Sequence, residues 1–299
     1  MILFNDFKSW KKYCEEEKLL LYQPVLEYEI NQKGAKEENI WWGLLKAYQV
    51  MKEAVDTGLT EDMQSRSGMI NNGAKKVYNY PKNLLSVEFK KLISRALAAK
   101  EVNSCMGRIV AAPTAGASGI LPGILVTLQE LHHLDDKKIC EGLLVAAGIG
   151  LIIEQNASLS GAVGGCQAET GSAAAMGSGA IVFCMDGDID QVFSAVAITL
   201  QCMLGLVCDP VAGLVEVPCV VRNASAAAIA YSSAQIALAG VNAVIPVDEC
   251  VSALGEIGQS METRYKETAL GGLAATITGK AIAKKILIHD IEILPDKND

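Results

Sequence analysis

A chain of 299 residues with 51% hydrophobic and 20% charged side chains can bury one large core or two modest ones, which excludes the disordered and fibrous classes. Its formal net charge of -8 leaves no basic field for neutralising phosphates, so neither a nucleic-acid partner nor an anionic membrane surface is expected. Nine cysteines at irregular spacing follow an N-terminus without the basic start, apolar run and small-residue cleavage site of a secretion signal. Free thiols in a reducing cytoplasm are expected.

Residues 1 to about 60 read as amphipathic helices. Trp10, Tyr13, Cys14 and Glu17 share a face imperfectly, while Leu44, Leu45, Tyr48, Met51 and Ala54 keep helical spacing. From Thr60 to Lys75 the periodicity is lost and Ser, Asn and Gly accumulate, predicting a loop that is exposed or lines a site. A short helix is expected around Leu84 to Ala99, then interrupted helices at Ile120 to His133 and Ile139 to Asn156, with Asp135 to Lys138 as the turn and helix start between them.

Only 15 of the 60 Asp, Glu, Lys and Arg residues fall between Cys105 and Ile245, so the middle of the chain is the core. Two uncharged runs there, Ile109 to Gln129 and Asn223 to Val247, reach the length of about 20 residues that a membrane span needs. Pro113, Pro122 and three glycines interrupt the first; Asn223, Ser225, Ser232, Ser233, Gln235 and Asn242 make the second too polar for lipid, so both are expected to be buried. Asp186, Asp188 and Asp190 lack the rest of a calcium loop and suit a helix start. Few runs alternate with period two. The expected fold is all-α, a peripheral helical layer over residues 1–99 on a catalytic domain over 100–299, with no clear linker between them.

Three cysteines stand apart by context: Cys166 follows two glycines, Cys208 precedes Asp209-Pro210, and Cys219 follows Pro218. Loop and helix-end positions leave backbone amides free to stabilise a thiolate, whereas Cys14, Cys105, Cys140, Cys184, Cys202 and Cys250 read as core or bystander thiols. Separations of 42 and 11 residues form no Cys-x-x-Cys signature, and from context alone zinc, iron-sulfur and plain buried thiols stay open. His132, His133 and His289 offer no metal-binding pattern, and three ligands without a fourth imply an open, chemically active position. In Arg108 to Gly119, RIVAAPTAGASG, Pro113, Gly116 and Gly119 expose amides beside the Thr114 and Ser118 hydroxyls, a turn that can cradle a carboxylate or simply connect packed helices. NASLSG, Asn156 to Gly161, lies just before Cys166.

The stretches RIVAAPTAGASGILPGIL, EQNASLSGAVGGCQAETG, LVCDPVAGLVEVPCVVRNA and RYKETALGGLAAT together resemble the iron-sulfur-dependent L-serine dehydratases, specifically their separate α subunit, with motif blocks spread from Ser65 to Thr276. The resemblance implies a 4Fe-4S cluster on Cys166, Cys208 and Cys219, with an iron open to the serine hydroxyl. It implies conversion of L-serine to pyruvate and ammonia, as part of amino-acid catabolism and gluconeogenesis. On that reading Thr114, Gly116, Ser118 and Gly119 hold the substrate carboxylate, and Asn156, Ser158 and Ser160 complete the pocket. Glu169, Arg222 and Asn223 are expected to support them. Tyr265, Glu267, Thr268, Gly271 and Gly272 match the family pattern without a derivable role.

Single-chain members of the family carry an N-terminal α/β domain with a Ser-Ser-His-Thr-type segment that resembles the source of the base, and nothing like it occurs here. The catalytic base is therefore expected on a β subunit, in a heterodimer. The tail, LIHDIEILPDKND, also lacks the cysteine some members carry. The competing readings are an L-cysteine desulfidase-like lyase using the same open iron, and a non-catalytic iron-sulfur protein. A pyridoxal-phosphate enzyme would need a Gly-rich phosphate loop on alternating strands and helices, which this sequence does not have.

Overall fold

Short acidic or hydroxyl side chains start four of the long helices in the computed structural model, which describes residues 4–293, with side chains through 288. Asp6 accepts from the Ser9 amide ahead of α1 (Phe7–Glu17), and Ser9 answers the Asp6 amide to close a capping box. α2 (Tyr22–Asn31), α3 (Glu37–Thr60) and α4 (Gly73–Asn79) follow. Ser86 caps α5 (Val87–Ser104), Asp135 caps α7 (Asp136–Asn156), and Asp188 closes a box with Gln191 at α10 (Ile189–Met203). The acidic triplet at 186–190 is thus a helix start. Between these lie α6 (Ile120–His132), α8 (Gly161–Gly164) and α9 (Ser172–Cys184), and α11 (Cys219–Leu238), α12 (Val247–Ser260) and α13 (Ile277–Ile293) complete the chain. Among the described residues no strand forms, only isolated bridges of Gln64 with Asn71 and Cys208 with Lys266, as an all-α fold requires.

The polar stretch after Thr60 is shorter than its composition suggests. α4 begins inside it because the buried Glu101 carboxylate accepts from the Ala74 amide and supplies a cap that local sequence lacks. α5 likewise runs past Ala99 to Ser104 because its last turns, including Lys100, Glu101 and Val102, are buried against neighbours.

Every residue of α9, SAAAMGSGAIVFC, is buried, which is why this helix has no amphipathic signature. It packs with α6, α7, α10 and α11, and the apolar cluster they share also takes in Trp10 and Tyr48 from the N-terminal helices. Phe4 stacks on Trp10, and Phe7 meets Phe193 edge to face at 5.0 Å, docking α1 onto α10. Burial of each such side chain contributes about 1.5–3 kcal/mol. Asp248 at the start of α12 accepts from the Phe7 and Lys8 amides, so the first helix is capped by a residue 241 positions later. α3 crosses α5 with Gly58 directly over Ala98; a Cβ at Gly58 would lie 2.4 Å from the Ala98 carbonyl oxygen.

α7 is the one described helix long and apolar enough to cross a membrane, and two-thirds of that stretch is buried inside the protein. The two uncharged runs resolve into a loop with α6, and α11 with the turn into α12. His132 and His133 end α6 on the surface, His133 in the left-handed conformation. The His289 side chain and residues 294–299 lie outside the described residues.

Candidate active site

The three cysteines come from three interruptions in the helical packing. Cys166 sits between α8 and a π-turn, Gln167–Gly171, that leads into α9. Cys208 lies in the connection after α10, where its amide donates to Tyr265 O (2.8 Å) and its carbonyl accepts from the Glu267 amide (2.9 Å). Cys219 is the first residue of α11, preceded by a cis Val217–Pro218 bond. Gln167 ties the first two segments: its amide donates to Leu206 O, and its side-chain oxygen accepts from the Gly205 amide.

All three thiols are buried and lie close enough to repel one another when ionised. Burial, then the neighbouring Cys166, pushes Cys219 up to about 12; Cys208 is raised by burial and by Cys166, Glu267, Glu169 and Cys219. Burial also raises Cys166, whose Sγ lies 2.9 Å from Thr170 Oγ1. A thiol set of this kind stays protonated until a cationic centre arrives, and a coordinating centre deprotonates it outright. Among the described residues no three His, Cys, Asp or Glu side chains converge closely enough for a single metal ion. Buried soft sulfur donors of this kind suit zinc or an iron-sulfur group.

Two carboxylates face the same space. At Gly161 a Cβ would meet Cys208 Sγ at 3.3 Å and both Glu169 Oε2 and Glu267 Oε2 at 3.5 Å, so the bare Cα lets these three groups approach one another. Glu267 holds a left-handed backbone (φ 62°), and burial followed by the Glu169 charge raises its carboxyl above the usual range. Glu169 accepts a 2.5 Å hydrogen bond from Thr114 Oγ1, and a Cβ at Gly116 would overlap its carboxylate.

The 114–119 turn is pinned to the Cys219 helix through Asn223. The Asn223 side chain accepts from the Gly119 amide (2.9 Å) and donates to Gly116 O (2.8 Å) and Cys219 O (2.9 Å). Ser118 Oγ is buried without a hydrogen-bond partner. Arg222 meets Asp209 Oδ1 at 2.9 Å and donates to Val207 O, bracing the Cys208 segment from α11; Asp209 Oδ2 accepts from the Leu273 amide.

The structure thus brings Thr114, Gly116, Gly119, Glu169, Arg222 and Asn223 around the three cysteines. Ser160 borders Gly161, and its amide donates to Ser158 Oγ. Asn156 turns elsewhere, donating to Asn5 O and Ile152 O.

A family model described as "Serine dehydratase alpha chain" matches residues 16–274. The chain belongs to that family. It is 43% identical over 288 residues to the L-serine dehydratase alpha chain of Peptoniphilus asaccharolyticus, covering 95% of this chain and 99% of that one. It is 42% identical over 287 residues to the probable L-serine dehydratase alpha chain of Bacillus subtilis, covering 95% of each. The L-serine dehydratase of Streptomyces coelicolor is 38% identical over 249 residues, which span 81% of this chain and 54% of that longer one.

Within this serine dehydratase alpha chain, one neighbour of the site escaped the sequence reading, and Glu216, a candidate partner for Arg222 by sequence, pairs elsewhere while Arg222 meets Asp209. Lys100 lies beneath the turn, donating to Asn103 Oδ1 and Ala115 O. A lysine ending the otherwise small and apolar run ALAAK was the available signal. Glu216 accepts from both Ser65 Oγ and Ser67 Oγ, joining the polar 64–69 loop to the Cys219 approach beside a cleft of about 800 Å³.

Proposed function

We propose that this chain is the α subunit of an L-serine dehydratase, carrying the substrate site and a 4Fe-4S cluster held by Cys166, Cys208 and Cys219. The observation that carries this reading is the meeting of three buried thiols with the 114–119 turn, in a chain matched almost end to end by dehydratase alpha chains. When bound, the cluster supplies a Lewis-acidic iron for the substrate hydroxyl, and hydroxide is otherwise a poor leaving group.

The protein's own groups then bind and orient the substrate. The Ser118 hydroxyl, which has no partner inside the protein, and the Gly116 backbone offer donors to the carboxylate. Thr114 acts through Glu169, because its hydroxyl is already committed there. Glu169 and Glu267 bracket Gly161 and give the α-ammonium two anionic acceptors. Loss of the α-proton to a base and departure of the hydroxyl as water give aminoacrylate, which tautomerises to the imine and hydrolyses to pyruvate and ammonium.

The base comes from a separate β subunit in this reading. His132 and His133, the histidines with described side chains, sit on the surface at the end of α6. The longer S. coelicolor relative has nearly half its length outside the matched region, room for the portion this chain would take from its partner. The nine cysteines are all free, in keeping with a reducing cytoplasm.

The test is iron and acid-labile sulfide per chain after anaerobic loading, with the visible spectrum recorded before and after L-serine. A cluster whose spectrum responds to L-serine, with turnover appearing when the β subunit is added, is expected. A chain that binds zinc alone, or loads no iron, overturns the cluster assignment; preference for L-cysteine would make it a desulfidase instead.

A further inference from the structure

α5 carries three buried charged residues, and two of them have an ordinary structural use. Arg95 pairs with Glu130 and donates to Thr127 Oγ1, while Glu101 caps α4 through the Ala74 amide. Lys100 is fully buried, yet its hydrogen bonds go to neutral oxygens, Asn103 Oδ1 at 2.5 Å and Ala115 O at 3.4 Å. A buried ammonium without a carboxylate is unfavourable unless another anion balances it.

Its position indicates the anion. A Cβ at Gly119 would lie 2.9 Å from Lys100 Cβ on one side and 3.1 Å from Asn223 Oδ1 on the other. Only that glycine therefore separates the root of the Lys100 side chain from the amide that holds the Cys219 carbonyl, while its ammonium reaches Ala115 O in the same turn. Burial holds the Lys100 ammonium below its ordinary value, and an ionised Cys219 opposes that more than Glu169 or Glu216 does. Each of those two carboxylates already accepts hydroxyl hydrogen bonds, Glu169 from Thr114 and Glu216 from Ser65 and Ser67.

We infer that Lys100 is the buried counter-charge for the Cys219 corner of the iron-sulfur group, a positioning residue that sets the group's charge balance from beneath the 114–119 turn. This rests on the cluster reading above. A cluster held by three thiolates is net negative and gains a further negative charge on reduction, so a fixed cation in a low-dielectric setting favours the reduced form and raises the potential. Lys100 also braces the Ala115 carbonyl, which links the charge to the turn expected to hold the substrate.

The test compares the full chain with and without its iron, in the wild type, K100M, K100Q and K100R. Iron content of the wild type is read first; a chain that loads none overturns the cluster reading, and this proposal with it, before any variant is used. With the cluster present, K100M is expected to leave the iron-free protein as stable as wild type or more so, because an unbalanced buried charge is gone. The loaded K100M protein is expected to melt earlier than loaded wild type and to show a more negative midpoint potential. K100R, which keeps the charge, should hold the wild-type potential. K100Q keeps a hydrogen-bond donor without the charge, so it should follow K100M, and it serves in its place if K100M fails to fold. Equal loss of stability with and without iron, or an unchanged potential in K100M and K100Q, would show that Lys100 only braces Asn103 and Ala115, and would overturn the proposal.

Discussion

The helix α9 and the ring of segments around Cys166, Cys208 and Cys219 are both buried, but they are buried for different ends. α9 is filled with Ala, Gly and Ser, and its Ser178 hydroxyl is satisfied by Ala175 O and Thr199 Oγ1. Around the cysteines, burial encloses Lys100, Asp209, Glu216 and Asn223, with left-handed backbone at Ala212 and Glu267. The first region gains stability from close packing. The second spends stability to fix charges and amides at chosen points, as functional sites do.

Replacing any one of the three site cysteines with serine should break this contrast most sharply. Turnover should fall to background and bound iron should drop, whereas Cys184→Ser in the core should lower the melting temperature and leave iron per chain intact. Next, Arg222→Met strands the buried Asp209 carboxylate and should cost about 3 kcal/mol in urea denaturation, together with weaker cluster retention. Asn223→Ala leaves the Gly119 amide and Gly116 carbonyl unpaired; about 2 kcal/mol of stability and a raised KM for L-serine are expected. An unchanged KM would separate the turn from substrate binding.

On the packing side, Gly58→Ala drives a methyl into the Ala98 carbonyl and should cost about 1–2 kcal/mol with kcat and KM unaltered. The smallest effect belongs to the surface. Hydrogen bonds from Lys91 and Arg95 hold the Glu130 carboxyl below its ordinary value. Its contribution, under about 1 kcal/mol for so exposed a group, is therefore complete above pH ~4.5 and lost as pH falls through the lowered value. Glu130→Gln should flatten that part of an acid-unfolding curve.

Much of the architecture was legible in sequence because helix starts are local events. Asp135 and Asp188 announce α7 and α10 by residue type alone, and the end of α6 at the histidine pair follows from the loss of apolar spacing. The start of α4 was not legible, since its cap is the side chain of Glu101 from another helix. α9 hides for the opposite reason: a helix buried on every side has no polar face to set a period. At the site, the positions of the cysteines at helix ends could be read from flanking Gly and Pro. The bond of Thr114 to Glu169 and the bridge of Asn223 could not, because each joins residues far apart in the chain.

The capping of α1 by Asp248 bears on how the protein is made. During synthesis from the N-terminus, Phe7 and Trp10 emerge early, but the carboxylate that fixes their helix and the Phe193 ring they pack against appear much later. The first helix can complete its docking only when most of the chain has left the ribosome. Until then the ring faces of Phe7 and Trp10 that Phe193 covers lack their partner.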